Sequence, residues 1–209
     1  MVPRTSRPIA FAFLLLLALG CTAPDPEGAP PDDYFPVPDF ALTERSGRTV
    51  TSADLQGKVW IASFVFTRCT GPCPQISSSV AKLQDELKQE KDVRLVTFTV
   101  DPERDSPDEL KQYAAHFGAD PERWLFLTGK QDEIYKLLRE GFKVAVEQNR
   151  GEARQPGSEV THSTKLVLVD RRGHIRGYFD GRQVDEQGNP VNDLPRLIKA
   201  VGRVLREQP

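Results

Sequence analysis

Val59-Trp60-Ile61-Ala62-Ser63-Phe64-Val65-Phe66-Thr67-Arg68-Cys69-Thr70-Gly71-Pro72-Cys73-Pro74 is the stretch that decides the fold. Residues 59–66 form a dense β-branched and aromatic run, long enough for one strand buried on both faces. Residues 67–71 break it. Pro74 suits the first turn of a helix, where a missing N–H costs nothing. Ile76, Val80, Leu83 and Leu87 then fall on one face of a helix predicted over 74–89. Two cysteines therefore lie between a buried strand and a helix N-terminus, a position that favours negative charge and lowers the pKa of at least one thiol.

Working outward, residues 93–100 read as a second buried strand. Ser106-Pro107-Asp108-Glu109 is a helix start, and the helix it opens turns Leu110, Tyr113, Ala114 and Phe117 inward. A short strand over 124–127, a short helix over 132–139 and a strand over 142–146 follow, then a polar, glycine-bearing loop over 149–159. Residues 166–169 and 175–179 form a hairpin around a turn at 170–173, and Leu194, Leu197, Ile198, Val201, Val204 and Leu205 mark a final amphipathic helix. Upstream, residues 40–43 and 49–50 make a short hairpin around Ser46-Gly47. Alternating strands and helices predict an α/β domain, a sheet covered by helices. The quartet Asp-Pro-Glu-Arg, at Asp101 and again at Asp120, reads as a turn into a helix each time, because the surroundings of the two copies do not match.

The N-terminus is a different kind of sequence. Arg4 and Arg7 precede an apolar run of 12 residues over 9–20, the length of a signal-peptide core and short of the roughly 20 residues that span a bilayer. The run ends Leu17-Ala18-Leu19-Gly20-Cys21, which looks like a bacterial lipobox. It predicts a lipoprotein signal peptide over 1–20, lipidation of Cys21 and a membrane anchor that does not span. Residues 21–38, rich in proline, follow as an extended tether. The working domain is thus expected over 39–209, in the bacterial cell envelope, facing the periplasm or extracytoplasmic space. The 209 residues carry 28 Lys+Arg against 30 Asp+Glu, and losing Arg4 and Arg7 takes the net charge from −2 to −4. A nucleic-acid binder needs a basic excess on one face, so that class is excluded.

Chemistry concentrates in the two downstream cysteines. At i and i+4 on a tight turn, Cys69 and Cys73 lie within reach of a disulfide, a dithiol or a soft-metal clamp. A ring this short restrains little of the unfolded chain, so redox or metal chemistry fits it better than a structural crosslink. Of the three histidines, His116 near a helix end and His174 in a hairpin turn read as surface residues. His162 falls between the polar loop and a buried strand, at the rim where strand ends gather beside the cysteines. Two thiolates and one imidazole suit Cu(I), whereas zinc normally takes a fourth ligand.

On these residues the chain resembles the Sco/SenC family, copper proteins of cytochrome c oxidase assembly. The matching pieces run in order: Phe40-x-Leu42, Gly57-Lys58, Phe66-Thr67-x-Cys69-x-x-x-Cys73-Pro74, then Thr99-Val100-Asp101-Pro102-Glu103-Arg104-Asp105, then His162-Ser163, and Leu168-Val169-Asp170 with Gly173. The resemblance implies a thioredoxin-like fold, a central mixed sheet flanked by helices with an N-terminal hairpin extension. It implies copper, as Cu(I) with Cu(II) as a second state, on Cys69, Cys73 and His162. It also implies delivery to the copper-bearing subunit of the oxidase or to another copper chaperone. Asp101 is a candidate neighbour that orients the site or caps a helix. Two departures are visible: Thr161 stands where the family usually has Asp, and Thr70-Gly71-Pro72 replaces a more acidic filling.

Two related patterns fit less well. Thioredoxin-type enzymes place their cysteines one residue closer and a cis-proline before the facing strand, where this chain has His162. Peroxiredoxins share the Phe-x-Leu and Gly-Lys opening, but their reactive cysteine follows a threonine by three residues, and Thr67 is only two before Cys69. A thiol–disulfide reductase with Cys69 as the attacking thiol, keeping a partner's copper-ligand cysteines reduced, is the alternative activity. A redox or copper sensor is a third reading.

Overall fold

A computed structural model describes residues 33–207, apart from 186, 190 and 192. The expected signal peptide, Cys21 and the first part of the expected tether lie outside the described residues. The strands are β1 (Ala41–Glu44), β2 (Thr49–Thr51), β3 (Val59–Val65), β4 (Val93–Thr99), β5 (Trp124–Thr128), β6 (Val146–Gln148), β7 (Val160–His162), β8 (Lys165–Val169) and β9 (Ile175–Asp180). The helices are α1 (Cys73–Glu86), α2 (Pro107–His116), α3 (Gln131–Lys136) and α4 (Leu194–Arg206). Seven strands form one mixed sheet in the order β2-β1-β5-β4-β3-β8-β9, while β6 and β7 pair as a separate two-stranded sheet. This is the thioredoxin-like α/β arrangement expected from the sequence, with the N-terminal hairpin joined to the sheet through the antiparallel β1–β5 pair.

The stretch 59–66 is the centre of the sheet. Every residue of β3 is buried. It pairs in parallel with β4, from Val59↔Val93 to Val65↔Thr99, and antiparallel with β8, from Trp60↔Val169 to Ala62↔Val167. A strand flanked on both sides and covered on both faces needs a continuous apolar run, which is what the sequence supplies. On one face α1 packs against β3, with α4 beside it and α2 tied to it by the Ser77–Tyr113 hydroxyl pair at 2.8 Å. Trp60 and Phe64, four apart on β3, share one face. There they meet Phe98 and Phe142, with Phe142 centroids 5.9, 5.2 and 5.3 Å from Trp60, Phe64 and Phe98.

Four expectations are corrected. The strand expected over 142–146 begins only at Val146. After α3 the chain widens into a single π turn, Leu137–Gly141, and Phe142 drops into the aromatic cluster, while Lys143 takes a left-handed φ of 53°. The alternation Phe142, Val144, Val146 mimics a strand, but it serves to bury three side chains across a bend. His162, placed between the polar loop and a buried strand, itself ends a strand, β7, opposite Val146. The second Asp-Pro-Glu-Arg leads into β5 and not into a helix, its turn closed by Arg123 and Trp124 amides on the Asp120 carbonyl. Finally, residues 33–38, read as part of the tether, lie against the domain. Tyr34 and Val37 donate to the Ile175 and Gly173 carbonyls, and Phe35 and Val37 pack on the core, so this end of the segment has apolar surface to bury after all.

The aromatic cluster sets the first prediction. Phe142→Ala is expected to cost about 3–5 kcal/mol, the usual range for a fully buried phenylalanine. Urea unfolding measures it, and a loss below about 1 kcal/mol would show that the π turn does not anchor this face.

Candidate metal centre

Cys69 sits on the loop that leaves β3, and Cys73 is the first residue of α1. Pro72 occupies the N-cap and supplies the carbonyl for Ile76 N–H at 3.0 Å; Pro74 follows within the first turn. The loop is held from below by Asp105, which is fully buried. Its carboxylate accepts from the Thr67 N–H at 3.1 Å, the Thr67 hydroxyl at 2.6 Å and the Thr99 hydroxyl at 2.5 Å. Asp105 thus ties the exits of β3 and β4 together beneath the cysteines. Burial pushes its pKa up, and the threonine donors pull the other way. Sequence reasoning quoted Asp105 in a motif but gave it no role. The signal was Asp105 following a strand-ending Thr99, with Thr67 at the matching end of the neighbouring strand.

The third residue arrives from far along the chain. β8 runs antiparallel to β3, so the beginning of β8 lies beside the end of β3. His162, three residues before β8, is thereby carried to the cysteines. The Sγ atoms of Cys69 and Cys73 and a ring nitrogen of His162 all lie within 4.8 Å of one another. Nε2 is 3.2 Å from Cys73 Sγ, and Nδ1 is 2.9 Å from the Ser163 carbonyl. A carbonyl only accepts, so Nδ1 carries the proton and donates it. In the neutral ring this leaves the Nε2 lone pair facing the sulfurs, the tautomer a metal ligand needs. The Phe66 ring stands edge-on to the imidazole at 5.8 Å and fixes its plane.

The two thiols are unlike. Cys73 is fully buried, and burial beside Cys69 pushes its pKa up, so it holds its proton. Cys69 is half-buried. Its sulfur accepts from the Cys73 thiol and from the Gly71 and Cys73 amides at the start of α1, and these donors bring its pKa down to about 4 against the opposing cost of burial. The pair therefore carries one proton on the inner sulfur and a thiolate on the outer one.

The remaining candidates fall elsewhere. Asp101 is buried, 3.7 Å from Arg104, and its Oδ2 has no hydrogen-bond partner. It stands outside the three-residue cluster, and the cap of α2 is Ser106, which accepts from the Glu109 amide. Thr161, the departure from the family pattern, points its hydroxyl away to Asn149 Oδ1 at 2.8 Å. His116 lies against Phe117, and His174 pairs with Asp33 at 2.7 Å beside the β8–β9 turn, at the other end of the sheet. The polar loop over 149–159 is seated on the body: the Thr70 amide donates to the Gly157 carbonyl at 3.1 Å, and Glu159 pairs with Arg104 at 2.6 Å.

A thioredoxin-like domain with a CxxxC pair and a convergent histidine at one rim defines a class of dithiol or metal-binding proteins. Comparison with known proteins narrows it. The SCO1/SenC family model matches residues 30–199. A SCO1 protein homolog of Bacillus subtilis (strain 168) is 33% identical over 168 residues, covering 79% of this chain and 82% of that protein. The crystal structure of a SCO1/SenC family lipoprotein from Bacillus anthracis str. Ames superposes with a TM-score of 0.72 at 30% identity, over 82% of this chain and 96% of that one. BsSco, a member of the Sco family of cytochrome c oxidase assembly proteins in which a disulfide switch was identified, gives 0.70 at 32% identity over 85% and 97%. Bradyrhizobium japonicum ScoI, solved with copper bound, gives 0.58 at 27% over 78% and 99%. This chain belongs to the SCO1/SenC family.

The thiol asymmetry sets the second prediction. In the reduced, metal-free protein, iodoacetamide is expected to alkylate Cys69 first, at a rate that stays flat from about pH 8 down to about pH 5 and falls only near pH 4, because the thiolate persists until its lowered pKa is reached. Mass spectrometry of the labelled peptide checks it. A rate climbing tenfold per pH unit up to pH 8 would mean an ordinary thiol.

Proposed function

We propose that this chain is a copper carrier of the bacterial cell envelope. It holds Cu(I), with Cu(II) as a second state, through Cys69, Cys73 and His162, and passes it by ligand exchange to the copper-bearing subunit of cytochrome c oxidase or to another copper chaperone. The observation that carries the reading is the convergence of two sulfurs and one imidazole nitrogen within 4.8 Å. The donor set fits: thiolates select Cu(I), imidazole suits copper, and among the described residues no fourth His, Cys, Asp or Glu joins the group to complete a tetrahedral zinc site. Two thiolates leave a Cu(I) centre with net −1, which the N-terminus of α1 stabilises. The amides of Gly71 and Cys73, already directed at the Cys69 sulfur, are the groups that do so.

Three donors at a rim also suit transfer. Cys69 is half-exposed and reachable by an incoming thiolate, while Cys73 and His162 keep the ion until the exchange is complete. The copper-bound ScoI relative and the oxidase-assembly role of BsSco support the cargo and the destination. Lipidation at Cys21 places the domain on the outer side of a membrane. It is supported by the lipoprotein relative.

A second reading draws on the thiol asymmetry. An accessible thiolate at Cys69 next to a buried thiol at Cys73 is the arrangement of an attacking and a resolving cysteine, and it supports a thiol–disulfide reductase acting on a partner's copper-ligand cysteines. The same experiment separates the two. Anaerobic reconstitution of the reduced protein is expected to give about one copper per chain, lost in Cys69→Ser and Cys73→Ser. In His162→Ala the affinity is expected to fall by more than about a hundredfold, since even the outer partners of a metal ligand are worth 10–100-fold. A His162→Ala protein that exchanges disulfides at the wild-type rate, from a parent that takes up no copper, would make the reductase the function.

A further inference from the structure

His162 is delivered by a hairpin that is a sheet of its own. At its base β6 and β7 are anchored by burial of Val144, Val146 and Val160 and by Arg139, which donates to the Val146 carbonyl. At its tip residues 150–156 are exposed, yet Gly157 and Glu159 just beyond are buried. Gly157 is buried at a left-handed φ of 85°, its carbonyl on the Thr70 amide, and a Cβ there would lie 2.4 Å from Thr70 Oγ1. Glu159 is 7% exposed. One of its carboxylate oxygens takes the Arg104 guanidinium at 2.6 Å and the other accepts the Gly157 N–H at 2.9 Å. Arg104 belongs to the 101–105 turn, whose Asp105 holds Thr67 at the root of the cysteine loop. A carboxylate buried at a hairpin tip is costly unless fully paired, and this one is paired on both oxygens, to the turn that braces the cysteine loop and to the glycine that touches it.

We infer that Glu159 is a positioning residue for the metal centre: through Arg104 and the Gly157 amide it clamps the hairpin tip onto the cysteine loop, and so sets where His162 is held against Cys69 and Cys73. Glu159 lies outside the three-donor cluster and acts only through the hairpin. The inference rests on the reading of those three residues as the ligand set, but the clamp has a signature that needs no metal. If Glu159 holds Gly157 on Thr70, the Thr70 amide is protected from solvent as long as the clamp is closed.

The test compares wild type, Glu159→Gln, Arg104→Gln and the double variant as full chains. In the reduced, metal-free proteins, hydrogen exchange at the Thr70 amide is expected to quicken about tenfold in each single variant, the usual weight of a hydrogen bond to a charged group. The amides of β3 and β4 should be unaffected. The double variant should be no faster than either single, because the pair acts as a unit. In the copper-loaded proteins, release of Cu(I) to a chelator is expected to quicken by a similar factor, and the thiolate-to-Cu(II) absorption band to shift. Unchanged Thr70 exchange, or single effects that add in the double variant, would overturn the clamp. If Glu159→Gln fails to fold, Gly157→Ala, which breaks the same seat from the Thr70 side, is expected to give the same quickened copper release, and wild-type release from it would overturn the clamp equally. A wild-type chain that binds no copper would sink the ligand assignment alone, with Thr70 exchange still deciding the clamp.

Discussion

Everything at the site depends on the direction of one strand. β8 pairs antiparallel with β3, so the residues that precede β8 meet the residues that follow β3. Were β8 parallel, His162 would emerge at the opposite end of the sheet, about 20 Å away along a seven-residue strand. His174, just past the far end of β8, marks where that is, and it pairs with Asp33 instead of sulfur. The register is in turn held by the packing on each face of β3, since slipping the strand by one residue would turn Trp60 and Phe64 away from Phe142. The meeting of His162 with the two cysteines thus rests on core packing.

Given that placement, the local environment decides how each donor behaves. The start of α1 turns two amides toward Cys69 and leaves Cys73 in the core, so the sulfurs divide into an accessible thiolate and a protected thiol. The Ser163 carbonyl accepts from the Nδ1–H of His162 and leaves Nε2 free to face the sulfurs. Asp105 braces the loop from beneath, and the β6–β7 tip closes on it from the side. Carrier and reductase are therefore two uses of one arrangement. They differ in whether the imidazole is needed, which is why His162 separates them and the cysteines do not.

Most of this was readable in the residues that have one strong local reason to be where they are. The run over 59–66, the Pro74 helix start, the Ser106 capping box and the amphipathic stripe of α4 each follow from propensity and period alone, and each was found within a few residues. The cysteine pair announced itself by spacing. His162 was harder, because the rule that gathers strand ends at one rim concerns the carboxyl ends of parallel strands, and His162 precedes an antiparallel one. What stayed out of reach were long-range polar contacts with no periodic trace: Asp105 on Thr67, Glu159 on Arg104, and the collapse of Phe142 onto Trp60, Phe64 and Phe98 through a π turn. Asp101 failed in the opposite sense. Its Asp-Pro context favours a cap, but the serine five residues on makes the better box with Glu109.

X-ray absorption at the copper edge of the reduced, copper-loaded protein tests the central claim most directly. The account predicts a first shell of two sulfurs and one imidazole nitrogen, with the nitrogen scattering lost in His162→Ala. Two sulfurs alone, with a spectrum indifferent to that substitution, would contradict it.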